Sequence, residues 1–196
     1  MLGERGIPQF ARGLPQTREA VAYARTMHAG QHRQADGAPF IEHPLDVAAL
    51  LHQAGAPDHV IAAGALHDTL EKTEATASEL SRRFGLRVAS LVAAVSEDRE
   101  INGYADRKAA LRAQVAAAGR EAAMVFAADK LSKVRELRLP SAPEFPLRRR
   151  RLTHYRRCLE LLQQCLPDHA LVEALERELE PLLLEARRQR AVSSTG

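Results

Sequence analysis

A chain of 196 residues with 45% hydrophobic and 27% charged side chains has an ordinary globular composition and can bury a sizeable core. The formal charge of +3 and the pI near 9.1 are mildly basic, which suits anionic small molecules and does not by itself point to nucleic acid. No apolar run approaches membrane-spanning length and MLGERGIPQF holds no signal-type hydrophobic stretch, so the expected location is the cytoplasm.

Aromatic residues are sparse at 4%, Trp is absent, and Ala and Leu dominate the apolar set. Those two residues lose little rotamer freedom in a helix, so helix is the expected state. Residues 1–16 carry Gly, Pro and Arg without periodicity and read as a loose arm. Thr17 offers an N-cap for a helix running to about Ala29, with Val21, Ala24 and Met27 on its apolar positions. GQHRQADGAPFIE, residues 30–42, reads as a loop. Pro44 then sits in the first turn of a helix that ends at Gly55.

Pro57 and Asp58 open a strongly apolar helix expected to run to about Leu70. Helices follow over 76–84, stopped by Gly85, and over 86–96, 104–118 and 120–138. The prolines of LPSAPEFP, residues 139–146, must break the last of these. Two long helices, about 147–165 and 168–190, close the chain ahead of a frayed, disordered tail over 191–196. No segment alternates with a period of two, and no repeat or heptad array is visible. The expected fold is all-α: one compact helical bundle of roughly eight or nine helices over 17–190. Cys158 and Cys165 sit on one helix at about 10 Å separation, too far for a disulfide, and are expected as reduced thiols.

Two features carry chemistry. His67-Asp68 ends the apolar run IAAGAL, and Asp129 directly follows AAMVFAA. A carboxylate at the edge of a buried face is costly unless it is paired or holds a cation. His43, just before a helix-starting proline, is a third residue of ligand type. Asp and His together suit Mn, Fe, Zn or Mg. Read alone, these residues leave an alternative open: Asp129 could instead pair with Lys130, Lys133 or Arg135.

Read together, GQHRQADGAPFIEHPLDVAALL, IAAGALHDTLEKTEATASELSRRFGLRVASLVAAVSE and AADKLSKVREL resemble the hydrolase domain of the RelA/SpoT homologues, and the small stand-alone alarmone hydrolases in particular. The resemblance covers about residues 17–160. It implies an all-α HD domain, one bound Mn²⁺ and removal of the 3′-pyrophosphate from guanosine tetra- or pentaphosphate (ppGpp and its relative), the nucleotides of the stringent response. By the same resemblance His43, His67, Asp68 and Asp129 match the metal ligands. Glu71 matches the first acid of a catalytic Glu-Asp pair. Arg33, Lys108, Arg151 and Tyr155 match substrate-holding positions.

The chain departs from the pattern twice. Lys72 stands where the family has the second acid of the pair, and Lys133 where it has a nucleotide-contacting Asn. Both changes add positive charge, Lys72 at a catalytic position and Lys133 at a substrate-binding one. The reading is therefore a metal-dependent phosphohydrolase of a phosphorylated nucleotide. Two others stand beside it: an HD phosphatase acting on a different phosphoester, and a non-catalytic nucleotide-binding HD protein. The arginine run Arg148–Arg151 is expected to be partly a solvated helix face and partly, through Arg151, a pocket rim. The lack of interleaved aromatics argues against nucleic acid. The sequence is compatible with a homo-oligomer and does not argue for one.

Overall fold

A computed structural model describes residues 6–33, 36–138 and 145–193, with the side chains of 145–149 and 190–193 outside the description. Among the described residues it holds ten α-helical segments: α1 (Pro15–Met27), α2 (Glu42–Gln53), α3 (Asp58–Leu66), α4 (Thr69–Lys72), α5 (Ala77–Phe84), α6 (Leu86–Val95), α7 (Tyr104–Ala118), α8 (Arg120–Glu136), α9 (Phe145–Cys165) and α10 (Ala170–Ser193). The sole β pairing among them is an isolated bridge between His32 and Pro39. The fold is all-α, as the composition and periodicity imply.

Two helices organise the core because they are apolar nearly all round. In α3 every residue from Val60 to Leu66 is buried. In α8 every residue from Ala122 to Ser132 is buried. A helix without a polar face must sit inside the others. Accordingly α3 packs on α1, α2, α6 and α8, and α8 packs on α2, α3, α6, α7, α9 and α10. One contiguous cluster of buried side chains runs from Ala20 on α1 to Leu182 on α10.

Four expectations are corrected. The arm is partly ordered: Gln9–Ala11 form a 3-10 turn, and Phe10 stacks on His52 with ring centroids 5.3 Å apart. Residues 1–5 of that arm lie outside the described residues. Thr17 is no N-cap. The N-cap is Leu14 and the helix starts at Pro15, three residues earlier than expected, with Thr17 buried in its first turn. The orphan amides there are satisfied from another helix: Asp58 accepts from Gln16 N–H (3.0 Å), Thr17 N–H (2.9 Å) and Thr17 Oγ1 (2.6 Å).

The third correction bears on the site. The helix expected over 58–70 stops at Leu66, and a separate single turn, α4, begins at Thr69. His67 and Asp68 form the break between them. Finally, α10 continues to Ser193, so half of the expected tail is helical, and 194–196 lie outside the described residues. The break before α9 also lies outside them over 139–144. Pro146 itself falls in the first turn of α9, where a missing N–H costs nothing. Cys158 and Cys165 are both free.

Candidate metal centre

Three elements converge on one point inside the bundle. His43 is the second residue of α2 and is buried there. The break between α3 and α4 delivers His67 and Asp68, both buried. Asp129 lies midway along α8, also buried. His43 Nε2 is 3.2 Å from His67 Nε2 and 3.2 Å from Asp129 Oδ1. His67 Nε2 is 3.5 Å from Asp129 Oδ1 and 3.4 Å from Asp68 Oδ2. His43 Nε2 lies 3.7 Å from that same Asp68 oxygen. One ligand atom each from His43, His67 and Asp129 falls within 4.8 Å of the others, which makes a His/His/Asp site able to hold a metal ion.

The imidazoles are turned so that lone pairs face inward. His67 Nδ1 donates to the Gly64 carbonyl at 2.8 Å, which leaves Nε2 as an acceptor. His43 Nδ1 lies 3.0 Å from Ser132 Oγ and 3.6 Å from Glu136 Oε1, two oxygens that favour the proton on Nδ1. Two acceptor nitrogens at 3.2 Å repel unless something positive lies between them. Among the described residues the buried oxygens Asp68 Oδ2 and Asp129 Oδ1 accept no hydrogen bond, and Asp129 Oδ1 is met by the Lys133 ammonium at 3.2 Å. Leaving a buried charged acceptor unmet costs several kcal/mol. This donor set, two imidazoles and two carboxylates with orphaned oxygens, fits a divalent cation of the harder kind.

Protein cations partly balance the acids. Lys130 Nζ contacts Asp129 Oδ2, and Lys133 Nζ sits 3.2 Å from Asp129 Oδ1. The pairing left open by the sequence is therefore present alongside the ligand cluster. Arg135 pairs elsewhere, with Glu178 at 3.6 Å. Burial would raise the Asp129 carboxyl, but Lys130 and Lys133 outweigh it and hold it well below the usual range. Burial likewise opposes charge at Asp68, where Lys133 and the two histidines prevail and lower it. Burial and then Lys133 push His43 down to about 4. At His67 burial is outweighed by Asp68 and Asp129, which raise it.

All eleven residues singled out from the sequence line one cavity of about 640 Å³. Glu71 stands on α4, and its Oε1 accepts the Glu97 N–H at 2.8 Å, which ties it to the start of the α6–α7 loop. Lys72 is exposed at the rim, with Nζ 5.3 Å from the Phe40 ring, and its carbonyl accepts from Gln31 Nε2. Arg33 is held by acids, with Nε 3.0 Å from Asp36 Oδ1 and Nη2 3.2 Å from Glu42 Oε2. Lys108 pairs with Glu97, and burial lowers its pKa. Arg151 is an exposed lining residue, whereas Tyr155 is buried and its hydroxyl is pushed up by that burial. The lining carries six Lys or Arg against five Asp or Glu, so a bound divalent ion leaves the cavity distinctly positive.

Sequence reasoning missed Ser132, Glu97, Tyr104 and His154, all in contact with site residues. Ser132 had a signal, since it follows Asp129 by three on the same helix and shares its face. Glu97 and His154 reach the site only through the packing of α6, α7 and α9, which local spacing does not encode.

The HD-domain family pattern matches residues 20–153. Human MESH1, a guanosine-3′,5′-bis(diphosphate) 3′-pyrophosphohydrolase, is 38% identical over 122 residues, covering 61% of this chain and 68% of that protein. A guanosine-3′,5′-bis(diphosphate) 3′-pyrophosphohydrolase of Aquifex aeolicus is 31% identical over 136 residues; the match takes in 68% of this chain and only 19% of that much longer enzyme. Among solved structures, a metazoan SpoT orthologue that hydrolyses ppGpp superposes with a TM-score of 0.74 over 89% of this chain and 95% of that one, at 24% identity.

Proposed function

The chain belongs to the HD-domain family, and we propose that it is a metal-dependent hydrolase that removes the 3′-pyrophosphate from guanosine tetra- or pentaphosphate. The observation that carries this reading is the inward cluster of His43, His67, Asp68 and Asp129, with two orphaned carboxylate oxygens, in a cavity lined by cations. We place Mn²⁺ there and the enzyme in the cytoplasm.

His43, His67, Asp68 and Asp129 would hold the ion. When bound, it supplies Lewis acidity, acidifying water and polarising a phosphoryl oxygen. Glu71 is the proton acceptor: Oε1 is engaged by the Glu97 amide, which leaves Oε2 to take a proton from the attacking water. Lys108, Arg151 and Tyr155 line the cavity where phosphate charge must be met, and Arg151 offers a bidentate fork. Lys133 balances Asp129 in the structure, and a cation between the ligands would take over that duty and leave its ammonium for phosphate. Arg33 is positioned by Asp36 and Glu42 at the mouth, where it can meet the nucleotide's base. Ser132 holds the His43 ring.

The test is pyrophosphate release from guanosine tetraphosphate with Mn²⁺, beside His67→Ala and Asp129→Ala. Release by the wild type that both variants lose supports the reading. No release from protein shown to hold metal sinks it. A second reading, an HD phosphatase on another phosphoester, draws on Lys72, which puts a cation where the family has an acid. Turnover of other phosphoesters but not of the tetraphosphate would favour it.

A further inference from the structure

Beside the metal cavity lies a second hollow of about 360 Å³. The two share Tyr104, Lys108 and His154. Two helix faces make its walls. On α7, Tyr104, Lys108 and Arg112 recur every four residues and form one stripe. On α9, Arg150, His154 and Arg157, spaced four and then three residues apart, form the facing stripe.

The charge here differs from that of the metal cavity. The hollow is lined by Lys108, Arg112, Arg150 and Arg157 and by no acid. Of these, Lys108 alone has a carboxylate partner among the described residues, Glu97. Arg150 instead stacks on Tyr104 with its guanidinium carbon 3.8 Å from the ring centroid. Arg112 Nη1 lies 3.2 Å from His154 Nδ1. The stacking and the imidazole fix two guanidinium planes without consuming their charge. Arg112 faces Arg150 and Arg157 with no carboxylate between them among the described residues; like charges so placed repel, and an anion between them removes that cost.

We infer that this hollow is a subsite for the terminal phosphate of a substrate's 5′-polyphosphate chain, so that the enzyme favours a nucleotide with a 5′-triphosphate over one with a 5′-diphosphate. The inference rests on the proposed nucleotide hydrolysis. Lys108, common to both cavities, carries a phosphate chain from one into the other. Arg112, Arg150 and Arg157 then meet the last phosphate.

The test compares kcat/KM for guanosine pentaphosphate and tetraphosphate in the wild type and in Arg150→Gln/Arg157→Gln. Arg156→Gln, which removes a charge from the same helix, is the control; Arg156 pairs with Glu160 instead. The expected result is a pentaphosphate-to-tetraphosphate ratio that falls about tenfold in the double variant, the scale of one charge-assisted contact, and holds in the control. An unchanged ratio, or an equal fall in Arg156→Gln, overturns the inference. Binding of inorganic triphosphate to the Mn²⁺-loaded protein, read by calorimetry, keeps the question apart from catalysis. If neither nucleotide is hydrolysed, triphosphate binding weakened about tenfold by the double variant still supports the subsite, and equal binding overturns it. Weakened triphosphate binding with an unchanged nucleotide ratio means that the hollow takes a free polyphosphate, which overturns the assignment to the substrate.

Discussion

Gly64 sits inside α3 with its flank pressed on α2. A Cβ built there would lie 2.3 Å from Leu51 Cδ1 and 3.4 Å from Val47 Cγ1. Leu51 and Val47 are fully buried, so neither can swing into solvent. Gly64→Ala therefore gains about 1 kcal/mol of helix propensity and, with a contact this short, loses about 2–3 kcal/mol to overpacking. The net expectation is a loss of about 1–2 kcal/mol, or about 2–8 °C in Tm for a chain of this size. The pressure falls between the helix that carries His43 and the one that ends at His67, and the Gly64 carbonyl itself fixes the His67 ring. Mn²⁺ affinity should fall with stability. Urea unfolding and an Mn²⁺ titration read the two effects. Adding Leu51→Ala, which alone should cost about 2–5 kcal/mol, makes room for the new methyl, so the double variant should be more stable than the sum of the two losses. A Gly64→Ala protein as stable as the wild type, or one whose loss simply adds to that of Leu51→Ala, refutes the close-packing argument.

Chelation should lower Tm by about 5–10 °C relative to protein with Mn²⁺ at a hundred times its Kd, and His67→Ala should abolish that difference in a thermal scan. Ser132→Ala removes the oxygen beside His43 Nδ1 and should weaken Mn²⁺ binding about 10- to 100-fold at nearly unchanged Tm, measured by metal titration. Asp58→Ala strips three hydrogen bonds from the start of α1 and should cost about 1–2 kcal/mol in urea unfolding, with turnover preserved once the protein is folded. Lys72→Ala should raise KM for the tetraphosphate about tenfold with kcat nearly constant; a collapse of kcat alone would instead make Lys72 part of the chemistry.

Much of the fold could be read locally because its signals are local. Gly55, with φ +72°, and Gly85, with φ +84°, end α2 and α5 where their lack of a side chain predicts. The all-round apolar runs of α3 and α8 mark central helices, and the acids at the edges of those runs mark the place where a cation is wanted. The convergence of His43, His67, Asp68 and Asp129 was legible for that reason, and because several motifs occurred in order. The partner of Glu71 was not. Glu71 is held by the backbone of Glu97, twenty-six residues on, and a backbone amide leaves no trace in side-chain spacing.

The misreadings at 17 and 67 share one cause. A helix terminus is read from the residue that could cap it, yet here the cap of α1 comes from Asp58 on the neighbouring helix. Thr17 has the right chemistry, but its hydroxyl donates to that same carboxylate. At 67 the apolar run gave no reason to stop, since neither Pro nor Gly follows. The stop coincides with the buried polar cluster. With α3 continuous through Asp68, His67 and Asp68 would project about 100° apart around one axis. The break instead lets both reach His43, while His67 also meets Asp129 and the two lie against each other. The helix gives up its hydrogen-bond run at the place where two adjacent residues are needed on one side, and local propensity is overridden there because four groups from three elements must share one point.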